Sequence, residues 1–307
     1  VTAARAELIE DGGAAAASEE FFRSRPFLDA EGVTHTLRIE SGEVELFAPL
    51  LVRDIPETGE RDAISPYGYP GFAGSADLDP ASIDFSATGL ISVFIRHALG
   101  PSPLAAATER NVVQIADPAL PPKSRPSDRR QVRRNIEAGY AVELVPGLET
   151  TLQQRVGFLA AYEQTMRRTG AGEHYFFGGE YFGRILEADR TWLALVNAPS
   201  GEIAAASIAA VSDGYLHYYL SGSLDSHLRS APMKNVVTRL VEHSQELGLP
   251  LNLGGGIAAG DALEEFKRGF ANRRSAWLTS ELICDEEKYA ELSADRGAAG
   301  FFPAYRG

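Results

Sequence analysis

The stretch from Thr191 to Ile283 constrains this chain more than any other part of it, because turn chemistry cuts it into pieces of defined type. Thr191–Asn197 and Glu202–Val211 read as strands joined by Ala198-Pro-Ser-Gly201. Asp213-Gly214 is a strong hairpin signal and leads into a third strand, Tyr215–Ser221. Pro232 opens a helix, and Gly248 stands just past its end at Leu247. The apolar residues of that helix, Val236, Val237, Leu240, Val241 and Leu247, share one face. Leu249–Leu253 is a strand, followed by the loop Gly254-Gly255-Gly256. Asp261 opens a short helix, with Glu264 three residues on as a capping-box partner, and Ser275–Ile283 is a last strand. Three antiparallel strands, a crossover helix and a parallel strand require a mixed α/β sheet.

The rest of the chain is less sharply cut. The first thirty residues read as a helix, from Ala14–Ala17 and Glu19 to Phe22, bounded by Pro26. Val33–Ile39 and Glu43–Val52 are strands about a turn at Ser41-Gly42, with Leu90–Ile95 and Asn111–Ile115 as further strands. Leu120–Ser127 holds three prolines and is the natural linker. Beyond it come a basic helix, Asp128–Ala138, a strand, Ala141–Val145, and helices at Leu152–Thr169 and Glu180–Ala188. The expected organisation is an N-terminal domain over 1–140 and a C-terminal domain over 141–307, with a cleft between them. With 44% hydrophobic residues over 307 positions, there is apolar content for two cores.

Charge narrows the partners. The net charge is -13, and residues 1–122 carry 19 acids and 8 bases against 23 and 21 in the remainder. An acidic chain does not coat nucleic acid or an anionic membrane non-specifically, so any phosphate contact must be local. Six bases crowd into Lys123–Arg134 beside one acid, Asp128. Arg130, Arg133 and Arg134 share a helical face, which reads equally as a solvated surface or as a phosphate-binding strip. No window approaches the roughly 18 apolar residues of a spanning helix, and no signal peptide is visible, so membrane insertion is not expected; with the acidic charge balance, DNA binding is not expected either. The single Cys284 excludes a disulfide framework and a cysteine metal cluster, and fits a cytoplasmic setting. The histidines show no metal-ligand spacing, so no metal is expected, and His217 and His243 read as structural. No Gly-x-Ser-x-Gly elbow is present. The aromatics Tyr162, Tyr175, Phe176, Phe177, Tyr181 and Phe182 read mostly as core.

Chemistry concentrates around the glycine loop. Gly254-Gly255-Gly256-Ile-Ala-Ala259 formally satisfies a dinucleotide fingerprint, but the helix after it is too short for a βαβ crossover and the motif does not open a Rossmann unit. The glycines instead let the backbone turn and approach something closely. In Phe266-Lys-Arg-Gly-Phe270, Leu263, Phe266 and Phe270 can pack inward while Lys267 points elsewhere. Lys267 and Arg268 at a helix C-terminus then read either as a solvated pair or, after a glycine loop at a strand end, as functional cations.

Several segments together resemble the FemABX-like family of GNAT-fold peptidyltransferases (FemAB-like, BioF2-like): Ile64-Ser-Pro-Tyr-Gly-Tyr69, Arg134-Asn-Ile136, Tyr218–Ser223, Ala231-Pro232, and Leu253–Gly256 through Phe270. The element order after Thr191 is also that of a GNAT-type acyltransferase. The resemblance covers about Phe21 to Trp277. It implies two tandem GNAT-like domains, mixed antiparallel/parallel sheets flanked by helices, the first domain degenerate. It places the Leu-Gly-Gly-Gly loop and Lys267 at the aminoacyl-transfer site. Arg229, Lys234, Phe266 and Arg268 are the candidates for holding the donor. Tyr67, Tyr69, Arg134, Asn135, Tyr219 and Ser221 are those for the acceptor. The helical-hairpin arm of some members is absent. Where GNAT enzymes carry a small-residue pyrophosphate loop, this chain reads Arg229-Ser-Ala-Pro-Met-Lys234, and Pro232 has no N–H to donate.

The resemblance thus implies an aminoacyltransferase with no bound cofactor, its co-substrate an aminoacyl-tRNA held by local basic patches. The acceptor would be the primary amine of a peptidoglycan precursor or of a small peptide or nucleoside. Lys267 and the amides of Gly254, Gly255 and Gly256 would stabilise the oxyanion. The alternatives are an N-acyltransferase using acetyl-CoA and a non-catalytic GNAT-like binding protein.

Overall fold

The computed structural model describes residues 4–294 and 300–307. Residues 1–3, the start of the stretch read as a helix, lie outside them. The chain divides into two compact units, Val1–Asn111 with Ala276–Gly307, and Val112–Ser275. The division falls at 111/112 and 275/276, where the sequence suggested 140/141. The reason is packing. Residues 114–116 pair with a strand of the second unit, and the basic helix packs on its long helix, so both go with that unit. The end of the chain pairs back into the first unit.

The first unit holds β1 (Ala4–Ile9), α1 (Arg25–Glu31), β2 (His35–Ser41), β3 (Val44–Asp54), β4 (Arg61–Ile64), β5 (Ile83–Asp84) and β6 (Ser92–Arg96). To these the chain end adds most of β13 (Arg273–Ile283), and α7 (Glu286–Ser293). The order is β5-β1-β2-β3-β4-β6, with β13 antiparallel to β6. The pairs β1/β5 and β4/β6 are parallel and the others antiparallel. The helix expected over the first thirty residues is not formed. Ala4 and Ala6 are buried and alternate with exposed Arg5 and Glu7, a period of two that makes this segment a strand. The alanine run gives one short 3-10 turn after Gly13, and Phe21–Arg23 another. Pro26 opens α1 instead of ending a helix. Phe21, Phe22 and Phe27 pack on one another at ring distances of 5.0 to 5.3 Å, and this packing overrides local propensity. Asp62 is fully buried, with Arg53 at 2.9 Å, Tyr305 at 3.2 Å and Arg306 at 2.5 and 3.0 Å on its carboxylate.

The second unit runs β7 (Thr108–Ala116, from Val112 on), α2 (Pro126–Glu137), β8 (Ala141–Pro146), α3 (Leu152–Thr169), α4 (Gly179–Ile185), β9 (Thr191–Asn197), β10 (Ile203–Ser212), β11 (Tyr215–Ser223), α5 (Met233–Leu247), β12 (Leu251–Gly254) and α6 (Ala262–Arg268). Its sheet is ordered β7-β12-β11-β10-β9-β8. The pairs β9/β10 and β10/β11 are antiparallel and β11/β12 parallel, as the turn signals require. All ten residues of β10 are buried, which demands cover on both sheet faces. The expected stripe of α5 supplies Val236, Val237 and Leu240 to a core with Ala194, Ala205, Leu216 and Leu253. The helix α3 is closed by a capping box between Thr151 and Gln154 and by Gly170 in the left-handed region. It lies so near β11 that a Cβ on Gly222 would stand 2.4 Å from the Ala161 carbonyl oxygen. Of the aromatics read as core, Tyr162 and Phe182 are buried, while Phe176 is exposed.

Candidate active site

Two irregularities open the second sheet. The parallel ladder between β11 and β12 has two rungs, Leu216/Leu251 and His217/Asn252. Beyond them β11 carries an extra residue. Ser207 pairs with Ser221 and Ala209 with Tyr218, so two β11 residues oppose Ile208 alone. This bulge breaks the alternation that would place Tyr219 with Ser221. It brings Tyr218 to Ser221 instead, their hydroxyls 2.6 Å apart.

On the β12 side a buried polar chain fixes the glycine loop. His217 Nε2 donates to the Ser212 carbonyl at 3.2 Å, which leaves Nδ1 to accept from Asn252 Nδ2 at 3.1 Å. Burial pushes His217 down to about 4, so it is neutral, the structural role expected of it. Asn252 Oδ1 accepts from the Gly254 amide at 2.8 Å. Gly254 sits at φ +75°, which favours glycine, and a Cβ on Gly256 would meet Asp261 Oδ1 at 2.4 Å. Asp261 caps α6 by accepting from the amides of Ile257 (2.7 Å), Ala258 (3.0 Å) and Glu264 (2.7 Å). These bonds, that of Glu264 foremost, lower its carboxyl below the usual range. The expected reciprocal bond from Glu264 reaches one residue further back, to the Gly260 amide at 2.7 Å.

Burial along α6 differs from expectation at one point that matters. Leu263 is exposed and Lys267 is buried, with 8% of its surface accessible. The solvated-pair reading of Lys267 is therefore wrong. Its Nζ donates to the Gly255 carbonyl at 2.7 Å and lies 6.0 Å from the centre of the Tyr218 ring. Burial lowers its pKa to about 8, with Asp261 opposing the shift. Burial likewise pushes Tyr218 up to about 12, against its bond to Ser221. The loop, the lysine and the mouth of the β11/β12 opening thus form one assembly.

The other sequence candidates are placed as follows. Of the three loop amides, that of Gly254 is engaged by Asn252. Phe266 is partly buried against Phe270, ring centres 5.5 Å apart. Lys234 is held by buried Asp128 at 2.9 Å, and Arg268 is paired with Glu265, a carboxylate it shares with Arg125. Arg229 and Arg134 are exposed. Asn135 is buried, its amide donating to the Ser230 carbonyl at 2.8 Å and to Asn235 Oδ1 at 2.7 Å, which pins α2 to the start of α5. Tyr219 joins its hydroxyl to that of Tyr181 at 3.1 Å. Tyr67 and Tyr69 belong to the first unit. The Tyr67 amide donates to Glu31, and Tyr69 lies between the rings of Phe22 and Trp277, 5.5 Å from each. Sequence reasoning missed Tyr218, Asn252 and Gln114. Gln114 is buried in register with Gly254, its Nε2 3.4 Å from Glu264 and its Oε1 without a partner among the described residues. No group of metal-ligating residues occurs among the described residues.

Residues 122–268 match the model of an acetyltransferase (GNAT) domain. The solved structure of FemX is similar, at 13% identity and TM-score 0.58, covering 84% of this chain and 90% of that one. So is a C-terminal domain assigned to a lysylphosphatidylglycerol synthetase of Agrobacterium fabrum, at 12% identity and TM-score 0.55, covering 86% and 87%. L-PGS from Bacillus licheniformis gives 13% identity and TM-score 0.52, covering 83% and 86%. Among curated proteins, no sequence matches this chain. The fold is thus that of the GNAT acyltransferases. The likeness to FemX is one of fold, and it agrees in fold with the FemABX-like resemblance of the sequence. None of the described helices is long and apolar enough to cross a membrane.

Proposed function

We propose that this protein is an aminoacyltransferase that moves an amino acid from an aminoacyl ester of RNA to a primary amine. The observation that carries the reading is the start of α5, where a CoA-dependent enzyme of this fold offers main-chain amides to a pyrophosphate. Here the Lys234 amide donates to the Ala231 carbonyl at 3.1 Å, and those of Asn235 and Val236 to the Pro232 carbonyl at 2.9 and 3.3 Å. Pro232 itself has no N–H. A helix start with its amides turned inward is a poor cradle for a pyrophosphate, which favours a donor activated in another way.

An aminoacyl ester is such a donor. The amine attacks the ester carbonyl, a C–N bond forms and the bond to the ribose oxygen breaks. The amine loses a proton and the departing ribose hydroxyl gains one. No enzyme nucleophile is needed. Lys267, buried beside the loop, supplies positive charge where the oxyanion develops. FemX and the lysylphosphatidylglycerol synthetases share the fold, and the peptidoglycan-precursor or small peptide amine is the acceptor class that follows from the family resemblance. The second reading, acetyl-CoA as donor, draws on the acetyltransferase domain model. Purified protein offered aminoacyl-tRNA and acetyl-CoA with an amine acceptor decides between them: consumption of acetyl-CoA alone overturns the proposal, and saturable binding without any product would make the chain a binding protein.

A further inference from the structure

The bases near the site fall into two groups. Lys234 is paired with Asp128, while Arg268 and Arg125 share the one carboxylate of Glu265, whose main-chain carbonyl Arg125 also binds at 3.0 Å. The exposed face of α2 is different. Arg130, Arg133 and Arg134 have no carboxylate within ion-pair distance among the described residues. Among the described residues, the one hydrogen bond of the Arg129 guanidinium is to the Ser124 carbonyl. Pro126, Arg129, Arg130 and Arg133 line an open concavity of about 320 Å³. Of the two acids on α2, Asp128 is buried against Lys234, and Glu137 stands at the far end of the helix.

Such a face is unfavourable for the isolated protein. Arg129 with Arg133, and Arg130 with Arg134, are like charges at i,i+4, a spacing at which they repel. In a chain of net charge -13, carboxylates to relieve them are abundant. An anion from outside relieves the repulsion instead. Guanidinium groups match phosphate oxygens two at a time, and the i,i+4 step of about 6 Å along a helix suits successive phosphates of one strand better than a single compact anion. Exposed Ile136, with Pro126, adds apolar surface of the kind a ribose or base covers. The ties from α2 to α6 through Arg125, and to α5 through Asp128 and Asn135, hold this face in fixed relation to the helix that carries Lys267.

We propose that the arginine face of α2 binds the sugar–phosphate backbone of the RNA that carries the donor acyl group. This rests on the aminoacyl-ester reading above and moves phosphate recognition away from Lys234 and Arg268.

The test uses the full chain, a fluorescein-labelled RNA hairpin with an unpaired 3′ CCA end, and anisotropy over a salt series. The triple variant Arg129→Gln/Arg130→Gln/Arg133→Gln is expected to bind about tenfold or more weakly at low salt. Its slope of log K against log salt should be shallower by about 0.7 to 0.9 for each phosphate no longer engaged. Its melting temperature should hold or rise as the repulsion is removed, and Arg167→Gln, on α3, should leave RNA binding unchanged. Affinity and slope unchanged in the triple variant overturn the proposal. So does loss of binding to phosphatidylglycerol vesicles with RNA binding intact, which would make the face a membrane contact. Turnover separates the two readings. If aminoacyl-RNA is a donor and its KM is the same in the triple variant, the groove assignment alone fails. If the wild type neither binds the hairpin nor uses aminoacyl-RNA, the donor reading fails and the groove proposal falls with it.

Discussion

Replacing Lys267 by Met keeps most of the side chain's length and removes its charge, so it separates what the cation does for the fold from what it does for the reaction. In the folded protein burial holds the lysine near 8, against an ordinary 10.5. That gap is a destabilisation of about 3 kcal/mol. Its sign follows from proton counting. Below the folded value both states carry the proton and the full penalty is present. Between about 8 and 10.5 the unfolded chain binds more protons than the folded one, so stability rises with pH. Lys267→Met carries no such penalty, and it leaves the carbonyl of Gly255, a half-buried residue, without the lysine. The stability of the wild type minus that of the variant should therefore climb by about 3 kcal/mol between about pH 7.5 and pH 10.5, read by urea unfolding. Turnover should show the opposite preference. With the cation as the working form, kcat declines as pH rises through about 8, and Lys267→Met lowers kcat on the order of 100-fold with little change in KM. A stability difference flat in pH would mean that the ammonium is not desolvated. An unchanged kcat in the folded variant would remove Lys267 from the chemistry.

Three further outcomes are expected. Asp261→Ala, which uncaps α6 and removes the charge that props up Lys267, should cost about 1 kcal/mol and move the basic limb of the rate profile to lower pH; a limb that stays put would uncouple the two groups. Tyr218→Phe should leave the shape of the pH–rate profile below pH 10 unaltered, because burial keeps the phenol protonated to about 12; the loss of a basic limb would assign that limb to Tyr218. Asp62→Asn should destabilise the protein by about 3 kcal/mol, since it leaves Arg53 and Arg306 without their shared partner; a loss under about 1 kcal/mol would mean that the network is solvent-compensated.

What could be read from the sequence and what could not divide along physical lines. Strands β9 to β11, and helices α3 and α5, were legible because their ends are local chemistry: the Asp213-Gly214 turn, Pro232 at the opening of α5, glycines at 170 and 248. The N-terminal segment was not, because its outcome depends on where Phe21, Phe22 and Phe27 pack. The glycine loop and Lys267 were found as a pair, yet the burial of Lys267 was hidden. Leu263 and Lys267 stand four apart on one face of a seven-residue helix, so periodicity does not tell which of them is covered; in the structure the covered one is Lys267, bonded to the Gly255 carbonyl. Tyr218 was displaced from view by strict alternation, which a single extra residue in β11 defeats. Asp128 read as a stray acid in a basic strip, when its buried carboxylate is what removes Lys234 from the surface charge.

The shortness of the β11/β12 ladder has a bearing on selectivity. Strands that part after two rungs stop pairing with one another, and a strand edge that stops pairing is open to a new partner. A molecule entering there can complete the ladder with its own amide or ester carbonyl and N–H groups. If the donor is an aminoacyl ester, recognition of that kind reads the backbone common to every amino acid and leaves the side chain to be judged by the walls of the mouth, by Tyr218 and by Gln114, whose Oε1 has no partner among the described residues. On the proposed aminoacyl-ester reading, changing which amino acid is accepted is a matter of altering those walls, with the splayed strands left as they are.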